Sequence, residues 1–370
     1  MKKTLVALAA LASVSAFAQS TVTISGVADV GLVYQSDRVN AGGTEKLRLD
    51  RGNNNRIIFA GVEDLGGGMA ATFAFQMRFE PTRGNQESGN QAATIGYAAG
   101  GTTAAPATPT TTRPLFQGET TVGLRGGFGA VKLGRWLTAM QLENGGMLDP
   151  WGVTTVAGSL YANGFASDYV RGGEGRVGNQ IFYSTPSVGG LKANVSYGFD
   201  KGPTGKNNLS IAGVYSNGPI NAMLGYEKNR FADSHIVFGG NYDLGAAKLY
   251  AAYYNTKGGA AADRAGTTFL ATATGGGQVG VGGSVKGWTI GSNIPMGAAT
   301  IRLGYNSWNG NGLAPTDQKE NKLGLGVNYA LSKRTSIYSD LASQSSKNAV
   351  NGLGNNNRVS FFDLGIAHSF

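Results

Sequence analysis

Apolar and polar residues alternate along short stretches of this chain. The clearest case is residues 69–80, where Phe73, Phe75, Met77 and Phe79 share one parity and Thr72, Gln76, Arg78 and Glu80 share the other. Successive side chains of a strand point to opposite faces, so this segment has one greasy face and one polar face. The same pattern predicts strands at residues 22–35, 56–62, 69–80, 120–126, 130–136, 179–186, 191–199, 209–216, 220–228, 234–243, 248–256, 284–294, 298–306, 321–330, 335–343 and 358–370. Short turns near residues 65, 127, 188, 218, 245, 296 and 332 alternate with longer polar loops, one running to Asn55 and another, residues 81–118, reading as a solvated external loop.

An even number of strands with short turns at one end and long loops at the other is the asymmetry of an outer-membrane barrel. Closure leaves no sheet edge in lipid. A soluble sandwich or propeller lacks this alternation and turns its polar side chains outward. The expected fold is all-β: a 16-stranded antiparallel transmembrane β-barrel with an inward-folded third loop. That loop, about residues 137–178, breaks the hairpin pattern. It is Gly-rich, holds Pro150 and carries few charges. Loops beyond about 12–15 residues inside a compact domain are usually functional or disordered. Here the expectation is that the loop folds into the lumen and narrows it.

Composition agrees. Charged residues make up 14% of the chain and Gly supplies 60 of 370 positions, against roughly 25% and 7% in ordinary soluble proteins. A lipid-facing wall needs few charges, and many turns need Gly. Lys2 and Lys3, the apolar run Leu5 to Ala16 and the Ala16-Phe17-Ala18 site read as a secretory signal peptide at residues 1–18. The barrel domain is then residues 19–370. The net charge of +9 is scattered rather than gathered into a patch, which argues against nucleic acid. Cys is absent, excluding thiol chemistry and Cys-based zinc sites. Gly66-Gly67-Gly68 and Gly275-Gly276-Gly277 read as turns and loops; there is no phosphate-loop pattern and no dense string of calcium ligands. No cofactor is expected.

Several stretches together resemble the general porins of Gram-negative outer membranes, in the branch typical of beta-proteobacteria and Neisseria. They are residues 22–30, Arg56 through Glu63-Asp64-Leu65-Gly66, Gly123 to Gly129 with Leu133-Gly134-Arg135, Tyr183-Ser184-Thr185-Pro186, Tyr329 to Thr335, and the ending Gly365-Ile366-Ala367-His368-Ser369-Phe370. The resemblance spans the whole chain after residue 18. It implies a passive channel for small hydrophilic solutes and ions, a homotrimer in outer-membrane lipid and lipopolysaccharide, and recognition of the terminal Phe370 by barrel-assembly machinery.

A pore selects by width and by the charge that faces the permeant. Parity turns Arg56, Arg78, Arg125 and Lys132 inward, puts Arg176 on the face of Gln180, and turns Lys192 and Arg302 inward as well. The third loop offers Glu143 and Asp149, with Asp168 and Glu174 later. In the family a ladder of Arg and Lys faces acidic loop residues. The resemblance carries that role to Arg56, Arg78, Arg125, Lys132 and Arg176. Phe182 and Ala367 depart from the pattern, and Glu119 adds an acid near the wall. Bases still outnumber loop acids, so the expected preference is weakly for anions.

Other readings predict different chemistry. A barrel hydrolase needs a positioned His, and only His235 and His368 exist; no enzyme activity is expected. A solute-specific channel would line its lumen with aromatics. Parity instead turns Phe73, Phe75, Tyr197, Tyr226 and Tyr305 outward, leaving Trp136, Trp151 and Tyr161 as path-lining candidates. An adhesin would use the loops as a display, but those at residues 100–112 and 258–283 carry no binding motif.

Overall fold

The computed structural model describes residues 21–36, 46–53, 55–86, 115–152, 154–158, 175–201, 206–229, 232–258, 283–311, 318–347 and 357–370. Sixteen strands form one closed antiparallel barrel. They are β1 (Thr21–Gln35), β2 in two pieces (Leu47–Asp50 and Arg56–Gly66), β3 (Met69–Glu80), β4 (Thr120–Gly126), β5 (Gly129–Leu137), β6 (Arg176–Ser184), β7 (Leu191–Gly198) and β8 (Asn208–Asn217). The rest are β9 (Ile220–Lys228), β10 (Ser234–Asp243), β11 (Lys248–Lys257), β12 (Ser284–Met296), β13 (Ala299–Asn311), β14 (Gln318–Ala330), β15 (Thr335–Lys347) and β16 (Asn357–Ser369). Each pairs with its sequence neighbours, and β1 pairs with β16 from Val27↔Ser369 to Gln35↔Phe361, which closes the tube. Beyond β16, Phe370 exchanges backbone bonds with Gly26, at 3.0 and 3.1 Å. A further two-residue piece, Asn85–Gln86, pairs with Phe79 and Glu80.

Alternation sorts every strand into two faces. On β8, Ser210, Ala212 and Val214 are buried while Leu209 and Ile211 are exposed. On β9, Met223 and Glu227 are buried while Leu224 and Tyr226 are exposed. The exposed face is apolar because it meets hydrocarbon. Aromatics on it touch one another, as in the pairs Tyr197–Phe199 and Trp288–Tyr305, with ring centroids 5.2 and 5.3 Å apart. The buried side chains line the inside of the tube, and among the described residues two apolar clusters lie there, against the third loop.

Two elements differ from the sequence reading. The loop expected up to Asn55 contains the first piece of β2, which pairs with β1 from Tyr34↔Leu47 to Gly31↔Asp50. Its alternation, Leu47 and Leu49 outward against Arg48 and Asp50 inward, covers only four residues. That is too short to stand out within a polar run. The third loop, expected to be irregular, holds a helix, α1 (Ala139–Leu148). Its Gly145 and Gly146 disfavour a helix in isolation, so its stability comes from the wall it lies on.

Candidate functional site

The third loop leaves β5 at Leu137 and turns at once onto the inner face of the barrel. The first amides of a helix lack intrahelical partners. Here the wall supplies them: Ala139 N–H donates to Ser196 Oγ and Met140 N–H to Ser210 Oγ, both at 3.0 Å. Thr138, at the N-cap position, does not cap the helix with its own side chain. Its hydroxyl donates instead to Glu227 Oε2 at 2.6 Å. That carboxylate is wholly buried beside the positive end of α1, which favours a negative charge there. Met140 packs against Gly225, where an added Cβ would come within 2.6 Å of it.

From α1 the loop follows the wall from β7 around to β16. Lys192 Nζ and Asn194 Nδ2 both donate to Glu143 Oε1, at 2.7 and 2.8 Å. Asn241 Nδ2 donates to the Met147 carbonyl at 3.0 Å and Asn293 Nδ2 to the Pro150 carbonyl at 3.1 Å. Asp149 is 1% exposed and accepts the Trp151 N–H at 3.0 Å, closing a tight turn. The Trp151 indole then enters a slot floored by Gly304, Gly324 and Gly326, and a Cβ at Gly304 would lie 2.5 Å from the ring. Its Nε1–H donates to Asp340 Oδ1 at 2.6 Å. Val156 N–H donates to Asp363 Oδ2 and Lys322 Nζ to the Gly158 carbonyl, both at 3.0 Å.

These contacts lie on β7 to β16. Arg56 and Arg78, on β2 and β3, stand outside that arc. They are register partners on the inward face, so two guanidinium groups sit directly across a ladder rung. Like charges placed so are destabilising unless something negative lies near. Lys132, on β5, donates to Glu119 Oε1 at 2.7 Å and sits 4.1 Å from the centroid of the Trp136 ring.

The other two wall candidates are elsewhere. Arg125 is at the short-turn end, where it borders a shallow pocket with Gly126, Ala130 and Ser184. The pairing of β5 with β6 slips between Gly134 and Trp136, which oppose Gln180 and Val177. One extra residue on β6 therefore puts Val177, not Arg176, on the face of Gln180, and Asn179 takes a φ of 47° there. A bulge of this kind reverses parity and leaves no mark in residue type. Asp168, Glu174 and Tyr161 lie outside the described residues.

Sequence reasoning missed the residues that hold the loop: Ser196, Ser210, Asp340, Asp363 and Gly304. Parity marks all of them as inward. What it could not supply was the partner across the lumen.

The two histidines serve local bonds. His235 Nδ1 is 3.0 Å from Thr256 Oγ1 within the wall, and His368 Nδ1 is 2.9 Å from Thr335 Oγ1 near the short-turn rim. Among the described residues no group of three or more His, Asp or Glu could hold a metal ion. Trp151 is wedged into the wall, 3% exposed, and Trp136 is half-buried under the Lys132 ammonium group.

A closed barrel with an apolar outside, a polar inside and a loop laid along its inner wall defines a membrane channel. The Gram-negative porin family matches residues 4–349, and the chain belongs to that family: it is an outer-membrane porin, a passive diffusion channel. It is similar to outer membrane porin protein 32 of Delftia acidovorans, 28% identical over 368 residues that cover 94% of this chain and 91% of that one. An outer membrane porin protein of Bordetella pertussis is 26% identical over 386 residues, covering 91% and 93%. Among solved structures, the anion-selective porin from Comamonas acidovorans has a TM-score of 0.72 at 24% identity, covering 95% of this chain and 100% of that one.

Proposed function

We propose that the third loop is the constriction of this pore and that the pore prefers anions weakly. One observation carries the reading. Both described acids of the loop face away from the open lumen: Glu143 is held by Lys192 and Asn194, and Asp149 is buried in its own turn. Arg56 and Arg78 meanwhile oppose each other on the inward faces of β2 and β3, Arg78 buried and Arg56 half-buried. A basic pair on that side of the bore favours a passing anion and opposes a cation. Lys132 contributes less, because Glu119 is bonded to its ammonium. Arg125 acts at the short-turn mouth, and Arg176 off the inward face.

The Comamonas relative, described as anion-selective, supports the same sign. Assembly follows the family: a cleaved leader at residues 1–18, a homotrimer in lipid and lipopolysaccharide, and delivery through Phe370. The test is purified protein in a planar bilayer under asymmetric KCl. The reversal potential reports anion preference, closures in three steps report a trimer, and Arg56→Glu moves the potential toward cations. An unmoved potential rejects the assigned wall.

A further inference from the structure

We propose that the interruption of β2 is a strut which grips the third loop at Thr155 and so fixes the bore of the pore. The inference rests on the reading of that loop as the constriction. The ladder between β1 and β2 runs through Gly31↔Asp50 and resumes at Val27↔Arg56. Between those rungs β1 has three residues and β2 has five, so the surplus must leave the sheet. It leaves inward. Gly52 N–H donates to Asp29 Oδ1 at 3.0 Å, and Asp29 lies on the inward face of β1, 3% exposed. The Asn55 side chain brackets the Asp29 backbone, donating to its carbonyl at 3.0 Å and accepting from its N–H. Arg51, itself buried, has Nη1 3.1 Å from Glu80 Oε1 on the inward face of β3.

What the strut holds is the loop. Thr155 N–H donates to the Gly52 carbonyl at 2.7 Å. This stretch of the loop is already held on the side of β14 to β16 by Lys322, Asp340 and Asp363; Gly52 holds it from β2, across the seam where β1 meets β16. Tyr338 of β15 locks the joint, its hydroxyl donating to the same Asp29 Oδ1 at 2.6 Å. A Cβ at position 52 would strike that hydroxyl, so the joint admits only glycine without movement. Arg56 follows directly, so the element that sets the loop's position also begins the basic wall.

The test uses the full chain, refolded, with Tyr338→Phe and Gly52→Ala. Tyr338→Phe removes one of the donors to Asp29 and keeps the ring; Gly52→Ala drives a methyl group into the joint. Single-channel recordings read open-channel noise, and swelling of protein-loaded vesicles in sugars of rising size reads the exclusion limit. Both variants are expected to raise the noise and to increase swelling, by about twofold or more, in a sugar that the wild type barely admits, while the reversal potential stays in place. Folded variants with wild-type noise and exclusion limit would overturn the strut alone. If Gly52→Ala does not fold, Tyr338→Phe decides by the same measurements. A wild type that carries no current would overturn the constriction reading itself, and the strut with it.

Discussion

Trp151 and Asp340 are 189 positions apart in the chain, and the indole of one donates to the carboxylate of the other at 2.6 Å. The bond is buried, and its acceptor is a carboxylate. Hydrogen bonds to charged groups contribute about 1.5–3 kcal/mol. Trp151→Phe keeps most of the apolar contact with the glycine slot and loses the donor. The folded barrel should survive, with its thermal midpoint lowered and the loop less firmly seated. Heat-modified mobility on a gel, followed against temperature, checks this.

The slot allows the opposite experiment. Gly324 opposes Gly304 in register, and a Cβ there would lie 3.0 Å from both the Trp151 ring and the Ala157 Cβ. Gly324→Leu overfills the slot, and overpacking typically costs about 1–3 kcal/mol. The wall is fixed by its strand ladder, so relief pushes the loop away from it, toward the pore axis. Unit conductance should fall while ion preference keeps its sign; single-channel recording in symmetric KCl reads both.

The barrel was legible from sequence because its rule is local. Residues 69–80, 220–228 and 234–243 are strands with the same bounds in the structure. A period of two needs no knowledge of distant partners. The loop's course was not legible for the converse reason: α1 is stable where Ser196 and Ser210 meet its amides, and nothing within Ala139–Leu148 announces those serines. Arg176 shows a third case. Its parity counted correctly along the sequence, but the bulge at Asn179 inserts a residue that counting cannot see. Gly52 was hidden because a glycine in a run of Asn reads as a loop, whereas here it faces a buried Tyr hydroxyl.

The Glu143–Lys192 pair predicts an asymmetry between its partners. The Lys192 and Glu143 side chains are 32% and 15% exposed, so the pair contributes little to stability but masks two charges from the lumen. Glu143→Gln removes a negative charge and unmasks Lys192, and anion preference should rise. Lys192→Gln removes a positive charge and unmasks Glu143, and the preference should fall by a similar amount. Reversal potentials under a KCl gradient measure both. Equal potentials in the two variants would mean that neither group faces the permeant.

Salt separates wall charge from pore width. The screening length is about 10 Å at 0.1 M and about 3 Å at 1 M. If Arg56 and Arg78 set the preference, the anion-to-cation permeability ratio should shrink toward unity between those concentrations. Arg56→Gln should show a smaller ratio at low salt and little further change at high salt. A ratio independent of salt in the wild type would assign selectivity to size instead.

Lipid-facing parity can be tested on a single strand. Leu224 is at the centre of β9, 61% exposed, and opposes Gly213 and Phe238 on the apolar face. Leu224→Lys should cost about 2–4 kcal/mol, the range for a basic residue on the lipid face near the bilayer midplane. Asn221, three positions away on the inward face, donates to Asn241 Oδ1 at 3.0 Å. Asn221→Lys loses that bond but keeps its charge in water, so its cost should stay near the 0.5–1.5 kcal/mol of a single neutral hydrogen bond, roughly speaking. Urea titrations of protein refolded into vesicles rank the two. If Asn221→Lys proves the more damaging, the assignment of faces on β9 is inverted, and with it the route of α1 along the barrel interior.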